Sequence, residues 1–106
     1  MKKDIYSKSI YISMLLEMYG KLLTDKQVDV IDLYYNQNLS LSEIAEELNI
    51  TRQGVRKSLV DGEKKLIDIE EKLGFMAQKE RREKIIDEIY QKTFDKNLRK
   101  KLLNLL

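Results

Sequence analysis

The sequence has no cysteine, no histidine, no proline and no tryptophan. Without cysteine there is neither a disulfide frame nor a cysteine-based zinc site. Without histidine the chain lacks the usual general base, the commonest metal ligand and the nucleophilic triads. Carboxylates are plentiful, but no cluster stands at metal spacing, so the chain reads as no enzyme, with no metal and no cofactor. No apolar run reaches about 18 residues, and the basic start has no signal-like core behind it. The expectation is a cytoplasmic chain that neither spans a membrane nor is exported. Absent proline, only four glycines and 36% charged residues favour an all-α fold over a β protein. The 106 residues suffice for one domain with a modest core.

What is present is organised around residues 40–60, SLSEIAEELNITRQGVRKSLV. Ser40 followed by Glu43 is a capping box, so a helix is expected to begin at Leu41. Leu41, Ile44, Ala45 and Leu48 share one face of it, with Ala45 small enough for a second helix to cross closely. Asn49 then stands where the chain must turn, at a position that calls for positive φ, and Ile50 fills the core from the turn. Thr51 is the next N-cap, and Val55 and Leu59 carry the inward face of the second helix. Arg52, Gln53, Arg56, Lys57 and Val60 are left facing outward. Arginine and glutamine offer bidentate hydrogen bonds to guanine and adenine edges, while lysine suits phosphate, so the face is equipped for a major groove. The pattern is that of a helix-turn-helix.

The run from Leu23 to Leu66, with LTDKQVDVIDLYY, LSLSEIAEELNITRQGVRKSL and EKKL in order, resembles region 4 of bacterial sigma factors. Within that superfamily it is most similar to the small stand-alone YlxM-like proteins, over about residues 5–74. The resemblance implies a DNA-binding, regulatory protein; by their own chemistry Arg52, Gln53, Arg56 and Lys57 would then meet bases or backbone, with Thr51 as cap or phosphate donor. It also implies a place in the signal recognition particle pathway, whose RNA or GTPase would then be a partner. That implication comes from gene neighbourhood, not from these residues.

In chain order, residues 4–19 are expected to form an N-terminal apolar helix closed by Gly20 at C′. Ile5, Ile12, Leu15, Leu16 and Tyr19 make one stripe, and Tyr6, Ile10, Met14 and Met18 a second. Two apolar faces need two partners. The helix-turn-helix core covers one; the C-terminal segment or a second subunit must cover the other, and a homodimer is preferred. Thr24 and Gln27 form another capping box, opening a helix through about Asn36 with Val28, Ile31 and Tyr35 inward and Leu23 stapled to Val28. The adjacent Tyr34 and Tyr35 point about 100° apart on a helix, so they read as packing residues, not a base-stacking platform. Gly54 suggests close approach of a phosphate, or of Ala45 across the helix crossing, or a tolerated neutral position. Beyond Leu59 the spacing Val55, Leu59, Gly62, Leu66, Ile69, Leu73 predicts an extended recognition helix, supported by Asp61–Lys65 and Asp68–Lys72 pairs. Gly74 ends it, with Phe75 placed to touch Ile69.

Residues 1–74 thus read as a sigma region 4-like domain: a three-helix core with an extended recognition helix and the N-terminal apolar helix. Residues 75–106 read as a charged C-terminal extension of two helices, packing on the same domain or on a partner subunit. Its first helix turns amphipathic at Ile85, Ile86, Ile89 and Tyr90; Asp95 caps the second, which carries Leu98, Leu102 and Leu105. Nine bases against five acids give this segment +4, and Arg99, Lys100 and Lys101 are candidate auxiliary phosphate contacts. By contrast the stretch from Thr24 to Val60 carries four bases and six acids, a balance of −2. Few neutralised phosphates mean weak binding to duplex DNA, which two recognition helices in a dimer, or the basic tail, would offset. Two other readings stand beside DNA binding: an RNA or ribonucleoprotein accessory factor using the basic tail, and a helical protein-interaction module whose groove-reading face is idle.

Overall fold

The computed structural model describes residues 6–106, which form six α-helices and, among the described residues, no strand. The chain divides into two compact units at Gly74.

In the first unit, α1 (Lys8–Tyr19) begins where the Ser7 side chain accepts a hydrogen bond from the Ile10 amide at 3.3 Å. The helix starts at Lys8, after Tyr6 and Ser7; the part of the expected helix at Asp4 and Ile5 lies outside the described residues. Ile12, Leu15 and Tyr19 are buried and Leu16 is half-buried, as the first stripe predicts. Ile10 and Met18 of the second stripe are exposed. Gly20 has φ −55°, so it is not a left-handed stop; the chain tightens into a 3₁₀ turn, Gly20–Leu22.

The Thr24–Gln27 capping box is present in both halves, at 3.2 and 3.1 Å, and opens α2 (Asp25–Ile31). The helix then widens into a π turn, Asp32–Asn36, closed by the Gln37 amide on the Asp32 carbonyl at 3.1 Å. Val30 and Ile31 are both fully buried, while Val28 and Tyr35 are half-buried. One-stripe spacing misses Val30 because α2 packs against α4, and α1 packs against the π turn and α4, so adjacent faces close together. Asn38, at φ 59°, turns the chain into α3 (Leu41–Leu48).

Ser40 and Glu43 make the second reciprocal capping box. Asn49 ends α3 at φ 55°, and the Ile50 amide reaches the Ala45 carbonyl at 3.0 Å, a Schellman closure. The long helix α4 (Arg52–Leu73) has 22 residues, about 33 Å of helix. Its Val55, Leu59, Gly62 and Leu66 are buried, and with Ile12, Leu15, Val30, Ile31 and Ile44 they form the core. At Gly62 an added Cβ would lie 2.8 Å from Ile31 Cδ1 and 3.3 Å from Gln27 Cβ, so the glycine sets how closely α2 approaches α4.

Polar contacts tie the rim of this core. The Tyr19 hydroxyl donates to Glu70 at 2.6 Å, and Ser13 donates to Asn36 at 2.8 Å. The Tyr35 hydroxyl donates to Glu63, whose other carboxylate oxygen meets Lys8 Nζ at 3.2 Å. Burial, then the Glu63 hydrogen bond and charge, hold the Tyr35 phenol above its ordinary value of 10.0. A folded-state pKa above the unfolded one means stability that is complete below pH 10 and is lost as pH rises beyond it. Tyr35→Phe is therefore expected to lower stability at pH 8 by about 1–2 kcal/mol and to flatten the alkaline loss above pH 10. Urea midpoints at pH 8, 10 and 11 check both effects.

In the second unit Gly74, at φ 65°, separates α4 from α5 (Phe75–Lys92), as the sequence predicts. Asp95 accepts from the Asn97 and Leu98 amides at 2.8 and 3.1 Å, capping α6 (Lys96–Leu103). Arg99 Nε donates to the Thr93 carbonyl at 2.7 Å and its guanidinium lies 4.7 Å from the Tyr90 ring centre. These bonds fix the corner between the two helices. Met76, Ile86 and Leu102 are the buried side chains. No helix among the described residues is long and apolar enough to cross a membrane.

Candidate nucleic-acid interface

The candidate site is the start of α4. Thr51 Oγ1 accepts from the Gly54 amide at 2.9 Å, the N-cap bond expected of it. Its own hydroxyl proton is left to donate, so capping and a phosphate contact are compatible. An added Cβ at Gly54 would meet that hydroxyl at 3.1 Å and nothing else within 4 Å. The close approach at Gly54 is thus to its own cap and not to Ala45.

At about 100° per residue, Arg52, Gln53, Arg56, Lys57 and Val60 fall within one arc of about 140° on α4, beside the separate, narrower arc of Val55, Leu59, Gly62 and Leu66. The burial agrees: the five of the wider arc are exposed, and the four of the narrower one are buried. Gln53, Gly54, Arg56, Lys57, Val60 and Asp61 line one shallow hollow, and Leu41 with Arg52, Gln53 and Arg56 lines another beside it. Arg52, Gln53, Arg56 and Lys57 are therefore brought together on the first two turns of α4, with Val60 at the start of the third.

Asp61 is the member of this surface that the sequence reading assigned elsewhere. It pairs with Lys57 at 2.8 Å, one turn back, and not with Lys65. The hydrogen bond and charge of Asp61 raise the Lys57 pKa, so the ammonium stays charged but is partly answered. The i, i+4 spacing of Lys57 and Asp61 was the available signal. On α3, hydrogen bonds from the Ser40 backbone and side chain hold the Glu43 carboxyl below its ordinary value, fixing a negative charge at the helix start. Glu46 and Glu47 are exposed on the same helix.

Arg99, Lys100 and Lys101 lie on α6 of the second unit. Lys100 and Lys101 are exposed, but the Arg99 guanidinium is occupied by Thr93 and Tyr90, which leaves it less available as a phosphate contact than its charge suggests.

Two helices joined by a left-handed asparagine, the second capped by threonine and packed across the first, make this a helix-turn-helix protein. The chain belongs to the UPF0122 family, described as “Putative helix-turn-helix protein, YlxM / p13 like”, whose profile matches residues 6–106. It is similar to the UPF0122 protein of Clostridium kluyveri, with 46% identity over 92 residues, 83% of each chain. The UPF0122 protein of Acetivibrio thermocellus is 47% identical over 81 residues, covering 73% of this chain and 69% of the relative. That of Lactococcus lactis subsp. cremoris is 42% identical over 85 residues, covering 80% and 77%.

Proposed function

We propose that this protein reads duplex DNA by laying the first turns of α4 in the major groove, as a cytoplasmic regulator. The observation that carries the reading is the segregation on α4. Arg52, Gln53 and Arg56 stand together on the exposed arc, and none of the three is in an ion pair with a described residue. Thr51 supports this arc with a phosphate contact and Lys57 with its charge.

The negative balance of the motif calls for a second recognition helix, and the protein is proposed to act as a homodimer. The surface offered for that contact is the second stripe of α1, where Ile10 is 53% exposed, continued by Leu22 at 54%. A dimer of this kind would bind two half-sites one helical turn of DNA apart.

The test is selection from a pool of random duplex DNA, beside structured RNA that includes signal recognition particle RNA, at low and physiological salt. A palindromic motif should be enriched, and Gln53→Ala should relax one base position per half-site by about 1–3 kcal/mol, roughly 5- to 150-fold. Enrichment of RNA alone, unaffected by Gln53→Ala, would replace this reading with an accessory role in the signal recognition particle. That second reading is favoured by the +4 balance of residues 75–106.

A further inference from the structure

The second unit exposes more apolar surface than two helices can bury against each other. Ile85 is 56% exposed and Ile89 44%, and both lie on one face of α5. Ile85 and Ile86, together with Leu105 beyond the end of α6, form the floor of an open cleft whose remaining lining is Gln78, Arg81 and Arg82.

Charge is sorted around α5 as well. With Ile85 at the centre of a helical face, the 100° step puts Gln78, Arg81, Arg82, Ile89 and Lys92 within about 60° of it. Glu80, Glu83 and Asp87 fall on the opposite half, and only Glu88 reaches the edge of the apolar face. Lys79, about 120° from Ile85 on the side away from Glu88, is paired with Glu83 at 3.9 Å. The arginines bordering the floor have no carboxylate partner of this kind among the described residues.

We propose that this cleft is a docking site for an acidic amphipathic helix of another protein. Leucine-like side chains of such a helix would cover Ile85, Ile86 and Leu105, while its carboxylates, one turn away, meet Arg81 and Arg82. The apolar floor is what a nucleic-acid backbone lacks the means to cover. A second copy of the same unit would bring Arg81, Arg82 and Lys92 of one copy against those of the other, on segments that each carry +4. An acidic partner answers both the floor and the rim. The site shares no residue with the exposed arc of α4 and does not depend on DNA reading.

The experiment uses the full chain and a labelled, helix-forming peptide with leucines at i, i+3, i+4 and i+7 flanked by glutamates, followed by fluorescence anisotropy. Saturable binding is expected, weakening with salt. Arg81→Gln/Arg82→Gln should reduce affinity about tenfold or more, and Gln53→Ala should leave it unchanged. Ile85→Glu should remove binding, with circular dichroism of both variants confirming that the helices persist. Equal binding of a lysine-for-glutamate peptide, or no binding of either, would overturn the proposal. So would self-association that Ile85→Glu abolishes while the glutamate peptide stays unbound.

Discussion

Gly62→Leu is expected to unfold the first unit, or to lower its stability by about 3 kcal/mol or more. Gly62 is buried in the middle of α4 where α2 crosses it, and there is no room for even one carbon. The Cβ would stand 2.8 Å from Ile31 Cδ1 and 3.3 Å from Gln27 Cβ. The first neighbour is the tip of a fully buried side chain; the second is the stem of the residue that completes the α2 capping box. Moving either disturbs the core or the start of α2. Gly62→Ala sets two effects against each other. Alanine favours the helix by about 1 kcal/mol, and overpacking costs about 1–3 kcal/mol. The net expectation is a loss of up to about 2 kcal/mol. A unit of this size has roughly 3–10 kcal/mol to lose, so the leucine variant removes about a third of it or more. Gly54→Ala is the control. It meets only the Thr51 hydroxyl, at 3.1 Å, so helix propensity and a disturbed cap nearly cancel, and stability should stay within about 1 kcal/mol. Denaturant midpoints for the three variants check this order. A Gly62→Leu protein as stable as wild type would mean that α2 and α4 separate without loss.

Where the fold was legible in the sequence, short-range chemistry announced it. Both capping boxes, the asparagine turn at Asn49, the Thr51 cap and the Gly74 stop depend on residues within a few positions of one another, and all five are present. The 22-residue length of α4 was equally legible, because its apolar spacing runs unbroken. What escaped depends on distant partners. The π turn after α2 reflects how the chain from Asp32 to Asn36 packs on α1, with Tyr35 reaching Glu63, and no local signal marks it. Gly62 could be placed on the inward face but not assigned to a crossing until α2 lay against it. Gly20 has the residue type of a left-handed stop, yet the chain continues into a 3₁₀ turn. At the candidate site, the outward arc followed from helical period alone. The partner of Asp61 did not, since Lys57 and Lys65 stand at equal sequence distance on either side.

That last choice of partner yields the second large effect, an increase in DNA affinity on removing a carboxylate. Asp61 sits in the hollow lined by Gln53, Arg56 and Lys57, and its oxygen holds Lys57 Nζ at 2.8 Å. Both groups are exposed, so water screens the pair and it adds little to folding, and Asp61→Asn should leave stability nearly unchanged. On DNA the same carboxylate has two adverse consequences: it repels a nearby phosphate and it competes for the ammonium. Both act through water and are modest, so Asp61→Asn should strengthen duplex binding roughly 5- to 30-fold. If Lys57 moves to a phosphate, the slope of log affinity against log salt should steepen by about 0.9. The two readouts separate the possible roles of this aspartate. Tighter binding with a steeper slope places the start of α4 on the phosphates, with Asp61 as the restraint that keeps non-specific binding weak. Weaker binding with loss of sequence preference would make Asp61 the group that orients Lys57 for a base. An unchanged slope and affinity would take this face of α4 off the DNA, whatever its resemblance to a recognition helix.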